Sequence, residues 1–438
     1  MIKKIQKIFL LAVFFIIGSI ASAQTDGTYG AYSPYSIFGI GDISKEGTAY
    51  NKSMGGVGIA TRNRRVINYL NPAAVTARDS LSFMADFGLQ QSNKVFRQGD
   101  LRSAHNTFNI YDFVMTFPIY RSSAFMVGLT PYSDVGYDFS SYERNQNIIG
   151  NTGNISYDSY GTGSVYQVFA GAGVTFWKRL SVGAEVIYYF GNIDKVTNMD
   201  YSNSSYRSIN SGADLFVNGT TGKFGLQYEQ KLGGDVSMIV GATYKLGTKM
   251  KGYSTTYRYA NQESVSDTLA YRVDTLSSGN LRFADEIGVG ISFKGGEKWS
   301  AEFNYLRSDW TSSGMDTQAG FSSIGDAKFS STVSHSFRAG FEYTPNRNDI
   351  RYYMRKCSYR GGFYYDKAYY KLDGHNVNSM GVTLGITLPV PRLYNGVSLG
   401  VDFGQRASTK YNMIRERYAM FVIGFNIHDI WFRKIQYQ

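Results

Sequence analysis

The stretch "SVYQVFAGAGVTFWKRLSVGAEVIYYF", Ser164 to Phe190, alternates with period two on both sides of a tight break. Before the break one face carries Tyr166, Val168, Ala170, Ala172, Val174 and Phe176, and the other Gln167, Gly171, Gly173 and Thr175. After it, Leu180, Val182, Ala184, Val186, Tyr188 and Phe190 stand against Ser181, Gly183 and Glu185. Successive side chains of a strand point to opposite sides, so the stretch reads as a hairpin with one apolar face and one small or polar face. "EKWSAEFNYL" repeats the pattern, with Trp299, Ala301, Phe303 and Tyr305 against Ser300, Glu302 and Asn304. Alternation alone fits both a soluble sandwich, whose apolar face is core, and a transmembrane barrel, whose apolar face meets lipid.

Composition and loop rhythm favour the barrel. The 438 residues include 36 Tyr, 29 Phe and 48 Gly but only 7 Pro, with 18% charged residues. Aromatic residues suit pleated surfaces and membrane girdles, and glycine suits places where strands bend or pack closely. About fourteen strands can be read, beginning near Ser80, His105, Ser122, Gly161, Arg179, Ala213, Gly234, Leu281, Glu297, Lys328, Arg360, Val377, Gly396 and Arg415. The connections "YRSS", "FWKRL", "KLGGD" and "FKGGEK" are tight, whereas those around 140–160, 195–212, 255–280 and 309–327 are long and polar. Short turns at one end and long loops at the other are the asymmetry of outer-membrane barrels. The fold class expected is therefore all-β, a transmembrane outer-membrane β-barrel of about 14 antiparallel strands.

The ends of the chain set its compartment. Lys3, Lys4 and Lys7 precede an apolar run from Ile8 to Ile20 and the small residues Ala21-Ser22-Ala23, the pattern of a secretory signal peptide cleaved before Gln24. Beyond it no run reaches the roughly 18 to 20 apolar residues of a membrane-spanning helix. The single Cys357 cannot form an internal disulfide. A net charge of +11 suits anionic lipid head groups of the outer membrane, and the exported location argues against nucleic acid. The expected division is 1–23 signal peptide, 24–79 an N-terminal segment, and 80–438 barrel.

The segment before the first strand holds "SMGGVGIATRNRRVINYLNPAAV", Ser53 to Val75. It is too short for a core of its own and is expected to tuck into the lumen. Gly55, Gly56 and Gly58 permit close backbone approach, and Pro72 forces Asn71 out of helical geometry. "SIFGIGD", "SMGGVGIA" and "INYLNPAAV", in order ahead of "DSLSFMADFGLQ", resemble the N-terminal hatch of the FadL/TodX-like outer-membrane transport proteins. The matching residues are Gly55, Gly56, Gly58, Ala60, Asn71, Pro72 and Ala73, over about residues 33–91; beyond them the resemblance is architectural. It implies a fourteen-stranded barrel with a hatch (plug) in its lumen, and passive uptake of hydrophobic small molecules of the long-chain fatty acid type by hatch displacement. Some relatives of this kind are instead non-transporting adaptors for secretion or outer-membrane assembly, which would bring other envelope proteins as partners.

Three features depart from or extend the motif. Pro131, in "FMVGLTPYSDVGYDF", removes a ladder donor from the third strand. The resemblance makes it a candidate kink for lateral release; the other reading puts it in a ribbon above the membrane. Arg62, Arg64 and Arg65 are candidates to hold an anionic head group in the lumen or to pair with carboxylates such as Glu185 and Glu302. "TPNRNDIRYYMRKCSYR", Thr344 to Arg360, is long for a turn at the short end. An Asn348-capped helix there would set Ile350, Met354 and Cys357 on one face and Arg347, Arg351 and Arg355 on another, lying on head groups or merely solvated. The last strand is expected in "RYAMFVIGFNIHD", with Phe425, Trp431 or Phe432 available to the assembly machinery.

Chemistry-bearing motifs are absent. His105, His335, His375 and His428 have no metal-ligand spacing, and neither a Gly-x-Ser-x-Gly elbow nor a phosphate loop occurs. The expectation is a protein without cofactor, metal or catalytic residues.

Overall fold

The computed structural model describes residues 30–430 except 80, 121, 263–264, 277–280, 319–320, 322, 325–326 and 391–395. The expected signal peptide and the Trp431-Phe432 ending lie outside the described residues. Fourteen antiparallel strands form a closed ring. They are β1 Ser82–Gln98, β2 Leu101–Tyr120, β3 Ser123–Tyr142, β4 Ile155–Phe176, β5 Leu180–Tyr201, β6 Ser208–Gly233 and β7 Val236–Lys245. The second half comprises β8 Glu286–Gly295, β9 Trp299–Asp309, β10 Val333–Tyr343, β11 Ser358–Leu372, β12 His375–Pro389, β13 Gly396–Arg406 and β14 Arg415–Ile430. β14 closes on β1 from Ser82↔Ile430 to Arg97↔Arg415, leaving no free edge in that part of the wall.

The period-two pattern decides which face looks out. On β4 and β5, Tyr166, Val168, Phe176, Val182, Val186 and Tyr188 are exposed, Val186 to 60%, while Gln167, Ser181 and Glu185 are buried inside. Exposed aliphatic side chains around a closed barrel have lipid as their solvent. Tyr166 stacks on Phe190 at 6.0 Å and Phe216 on Tyr253 at 5.4 Å, forming one aromatic belt; Phe176 and Trp177 mark the other. Tyr166 and Phe176 are separated by about the ten residues that a tilted strand needs to cross a bilayer.

β4, β5 and β6 have 22, 22 and 26 residues, so they continue well past the belt. Much of what the sequence offered as long loops is in fact this ribbon. β5 and β6 pair out to Met199↔Ile209, and Lys251–Gln262 pairs with both β6 and Val265–Thr275. Extended pairing satisfies backbone groups that loops would leave to water. At the opposite end the connections 177–179, 234–235 and 296–298 are tight, and the one at 344–357 is long. There the expected Asn348-capped helix is replaced by turns built on Asn346 and Asp349, and the helix is a single turn, Tyr353–Lys356. Cys357 is buried and Ile350 is 98% exposed, so they do not share an apolar face.

Tags inserted near Asn151 or Asn261 should be reached by antibody on intact cells, and one near Asn346 should be reached only after lysis. Surface labelling at Asn346 would reverse this orientation.

Candidate functional site

Residues 30–79 run through the barrel interior. Asn71 is extended (φ −128°, ψ 116°) as the residue before a proline must be, and its side chain accepts from the Ala73 N–H to start the short 3₁₀ turn Pro72–Thr76. That turn rests on β4, β5 and β6. The Asn71 amide also donates to the Ile59 carbonyl at 2.7 Å, tying the Asn-Pro-Ala motif to the glycine run. Gly55 and Gly56 both have positive φ, 73° and 77°, where other residues are strained. Gly58 lies against Leu70, Asn51 and Asn68, and Ala60 is fully buried with its N–H donated to Glu302 at 2.8 Å. The glycine run and the Asn-Pro-Ala stretch are thus connected to each other inside the barrel.

The wall is built to receive it. Inward glycines on the strands touch the segment: a Cβ at Gly183 or Gly225 would fall on Asn71–Ala73, one at Gly241 on the Ile59 backbone, one at Gly340 on Met54, and one at Gly362 on the Gly55 backbone. Charged side chains hold the same segment around the circumference. Lys223 pairs with Glu46 at 3.6 Å, Asp402 with Lys45 at 3.1 Å, and Arg406 with Asp42 at 2.7 Å. Arg338 donates to the Gly56 carbonyl at 2.9 Å, Gln227 to Ile59 at 2.9 Å, and Arg360 to Ser53 at 3.0 Å. None of these partners was identified from sequence. The signal was present as charged residues at inward positions of otherwise apolar strands, but not their pairing.

The arginine run pairs elsewhere than expected. Arg62 meets Glu229 at 3.5 Å and donates to Ser181 and Gln227; Arg64 meets Asp79 at 3.9 Å; Arg65 meets Glu297 at 3.3 Å. Glu302 is taken by Ala60 and Thr61, so it is not an arginine partner, and Glu185 forms no arginine pair among the described residues. The register puts Glu229 and Glu297 at the turn end, where the arginines emerge, whereas Glu185 and Glu302 sit deeper. These arginines line a 320 Å³ cavity with Lys294, Trp299 and Arg347.

Pro131 marks a break in the wall. β2 and β3 pair only from Tyr120↔Ser123 to Phe113↔Leu129, and beyond Leu129 β3 turns inward. Its Ser133 and Asp134 pair with Ile43 and Asp42 of the segment instead, and its register on β4 shifts between Pro131 and Ser133. Pro131 is level with Tyr166 of the belt, so it sits at the boundary between the two positions read from sequence. The freed part of β2 meets the segment: Tyr32 stacks on His105 at 3.6 Å. A largely apolar cleft of 1060 Å³ opens there, lined by Tyr35, Phe38, Phe96, Leu372 and Ile414 together with Arg97, Arg102 and Asp138. The interior cavities beside it, 140 and 190 Å³, have a mixed lining in which Tyr69, Val401 and Leu306 stand beside the charged Lys45, Glu46 and Arg406. Among the described residues no group of three His, Cys, Asp or Glu side chains gathers to hold a metal.

The BamG family model matches residues 1–438. The chain belongs to the BamG family. No curated protein matches it. Solved structures share its fold at low identity. A crystal structure of the Pseudomonas putida toluene transporter TodX superposes with a TM-score of 0.59 at 16% identity, over 89% of this chain and 99% of that one. The Ralstonia pickettii toluene transporter TbuX gives 0.55 at 16%, over 87% and 98%. A Pseudomonas aeruginosa FadL homologue gives 0.52 at 10%, over 88% and 98%. This BamG-family chain is therefore an outer-membrane-type barrel of FadL/TodX-like fold.

Proposed function

We propose that this protein is a non-transporting barrel of the outer membrane, exported through a cleaved signal peptide, that acts as a protein-binding adaptor in secretion or outer-membrane assembly. The lumen carries the reading. Residues 30–79 act as a fixed hatch, held by the wall through ion pairs and hydrogen bonds on many strands, and Lys45, Glu46 and Arg406 stand in the lining of the small space left beside them. A hydrophobic solute would have to break those contacts to pass, and buried charge left without its partner is costly. The tall ribbon of β4–β6 and Lys251–Thr275 offers a partner protein a surface beyond the membrane.

One observation favours a second reading, uptake of a hydrophobic small molecule. The β2–β3 break with its apolar cleft would give such a ligand an entrance or a lateral exit, and TodX and TbuX, which share the fold, are described as toluene transporters. Both readings are non-enzymatic. The test combines hydrophobe uptake in a strain lacking its own transporter with cross-linking from Tyr271 on the ribbon in native membranes. The adaptor reading expects negligible uptake, no effect of Pro131→Val, and a specific envelope protein cross-linked. Uptake of toluene or a long-chain fatty acid that falls on Pro131→Val would overturn it in favour of transport.

A further inference from the structure

β2 pairs with β1 from Gln98↔Leu101 to Gly88↔Asp112 and beyond, but its pairing with β3 begins only at Phe113↔Leu129. Residues 101–112 therefore have one edge with no strand on it among the described residues. β3 does not cover that edge: past Pro131 it follows β4, and its free side is taken by Ile43, Asp42 and the Ser33 N–H of the segment. Tyr32 stacks on His105 without a main-chain bond between residues 30–32 and β2 among the described residues. The Gly99-Asp100 loop joins Gln98 directly to its partner Leu101, so Leu101 and every second residue after it exchange main-chain bonds with β1. Arg102, Ala104, Asn106, Phe108 and Ile110 then aim their N–H and C=O groups at the open edge.

An open edge is a template for another strand, and proteins blunt it by brevity, lysine, proline or a cover. Residues 101–112, LRSAHNTFNIYD, contain neither lysine nor proline. They border the 1060 Å³ cleft, which reaches the upper end of the roughly 300–1,000 Å³ of small-molecule sites. Phe108 and Ile110, each 51% exposed, stand on the outer face of this edge. Beside them the charge is positive: Arg102 lies directly opposite Arg97, and Arg97 directly opposite Arg415. Like charges directly opposite one another destabilise a sheet, and none of the three forms an ion pair among the described residues. The nearest acids of the cleft, Asp138 and Asp373, belong to β3 and to the turn after β11.

We infer that the open edge of β2 binds an extended acidic segment of a partner protein as an added strand, its main chain pairing with residues 102–110 and its carboxylates meeting Arg102 and Arg97. This rests on the adaptor reading and specifies how the partner is held. Main-chain bonds give an added strand its affinity, and the pockets and charges that its alternate side chains meet give selectivity. A small hydrophobe in the cleft would make no use of the edge, so the two occupants are separable by experiment.

The test uses the mature chain in detergent and a short labelled peptide of alternating threonine and valine with two aspartates at one end, binding being read by fluorescence anisotropy. Wild type should bind it saturably. The same peptide N-methylated at alternate residues, and so short of main-chain donors, should bind about tenfold more weakly or worse. Ala104→Pro, which removes a donor from the edge, should cause a similar loss, whereas Ala104→Val should not. Arg102→Glu, which leaves the main chain intact, covers the case in which Ala104→Pro does not fold and should also weaken binding. No saturable binding by wild type would overturn strand addition, as would equal binding of the N-methylated peptide or equal binding by Arg102→Glu. The adaptor reading is judged separately by cross-linking from Tyr271: an envelope protein caught there, with no peptide bound at β2, would leave the adaptor standing and remove this site.

Discussion

Gly241→Val is expected to unseat the N-terminal segment and admit small hydrophilic solutes through a barrel that is still folded. The Cβ of any larger residue at Gly241 falls on the Ile59 carbonyl and the Cα of Ala60, which are backbone atoms with no rotamer to change. The same Ile59 carbonyl accepts from Asn71 and Gln227, so displacing it breaks the link between the glycine run and the Asn-Pro-Ala motif. Overpacking of this kind costs about 1–3 kcal/mol, and more against rigid backbone. Each ~1.4 kcal/mol changes the open population about tenfold. The wall itself should tolerate valine, because Gly241 pairs with Gln227 and Gly290 in regular register and valine favours strands. Liposome swelling, or killing by a large polar antibiotic, reads the result. Gly361→Val on β11, where a Cβ meets only ordinary contacts, is the silent control. Unchanged permeability in Gly241→Val, with normal surface amount, would mean the segment does not seal the lumen.

The second large effect is expected at Glu46. Its carboxylate faces Lys223, and Lys245 is close enough to act on it as well. Burial opposes the charge of Glu46, but the two lysines outweigh it and hold the carboxyl below its usual range. Glu46→Leu removes the negative partner and leaves buried ammonium charge behind, a loss of about 3–5 kcal/mol for a buried pair. The expected outcome is rapid cleavage within residues 44–66 by a protease that leaves the wild-type segment intact. The pH dependence follows from the sign. A folded pKa below the unfolded value of about 4.3 means the contribution is complete above that pH and is lost as pH falls through the depressed value. Wild-type protection should therefore drop in acid below about pH 4, while Glu46→Leu, already unprotected, should show no such step. Equal protection of the two proteins at pH 7 would sink the assignment of Glu46 as an anchor.

The sequence by itself determined the wall. Val168 faces out and Gln167 in because side chains alternate along a strand, and that rule needs no knowledge of any other strand. It also determined that Asn71 must be extended before Pro72, and that Gly55 and Gly56 occupy positions suited to glycine. Loop-end polarity was legible, but pairing of β5 and β6 out to Met199↔Ile209 was not, since polar residues satisfy a solvated ribbon as readily as a loop. The short helix expected at Asn348 gave way to Asn346 and Asp349 turns, because local capping residues competed and the last turn was anchored by burial of Cys357.

Only the tertiary structure decided what meets what inside. Arg62 finds Glu229 rather than Glu185, and Ala60 finds Glu302, across separations of more than 160 residues. The break beyond Leu129 belongs to the same class. Period two tells which face a side chain takes, whereas its partner depends on strand order and stagger. Those are set only when the ring closes around the segment it contains.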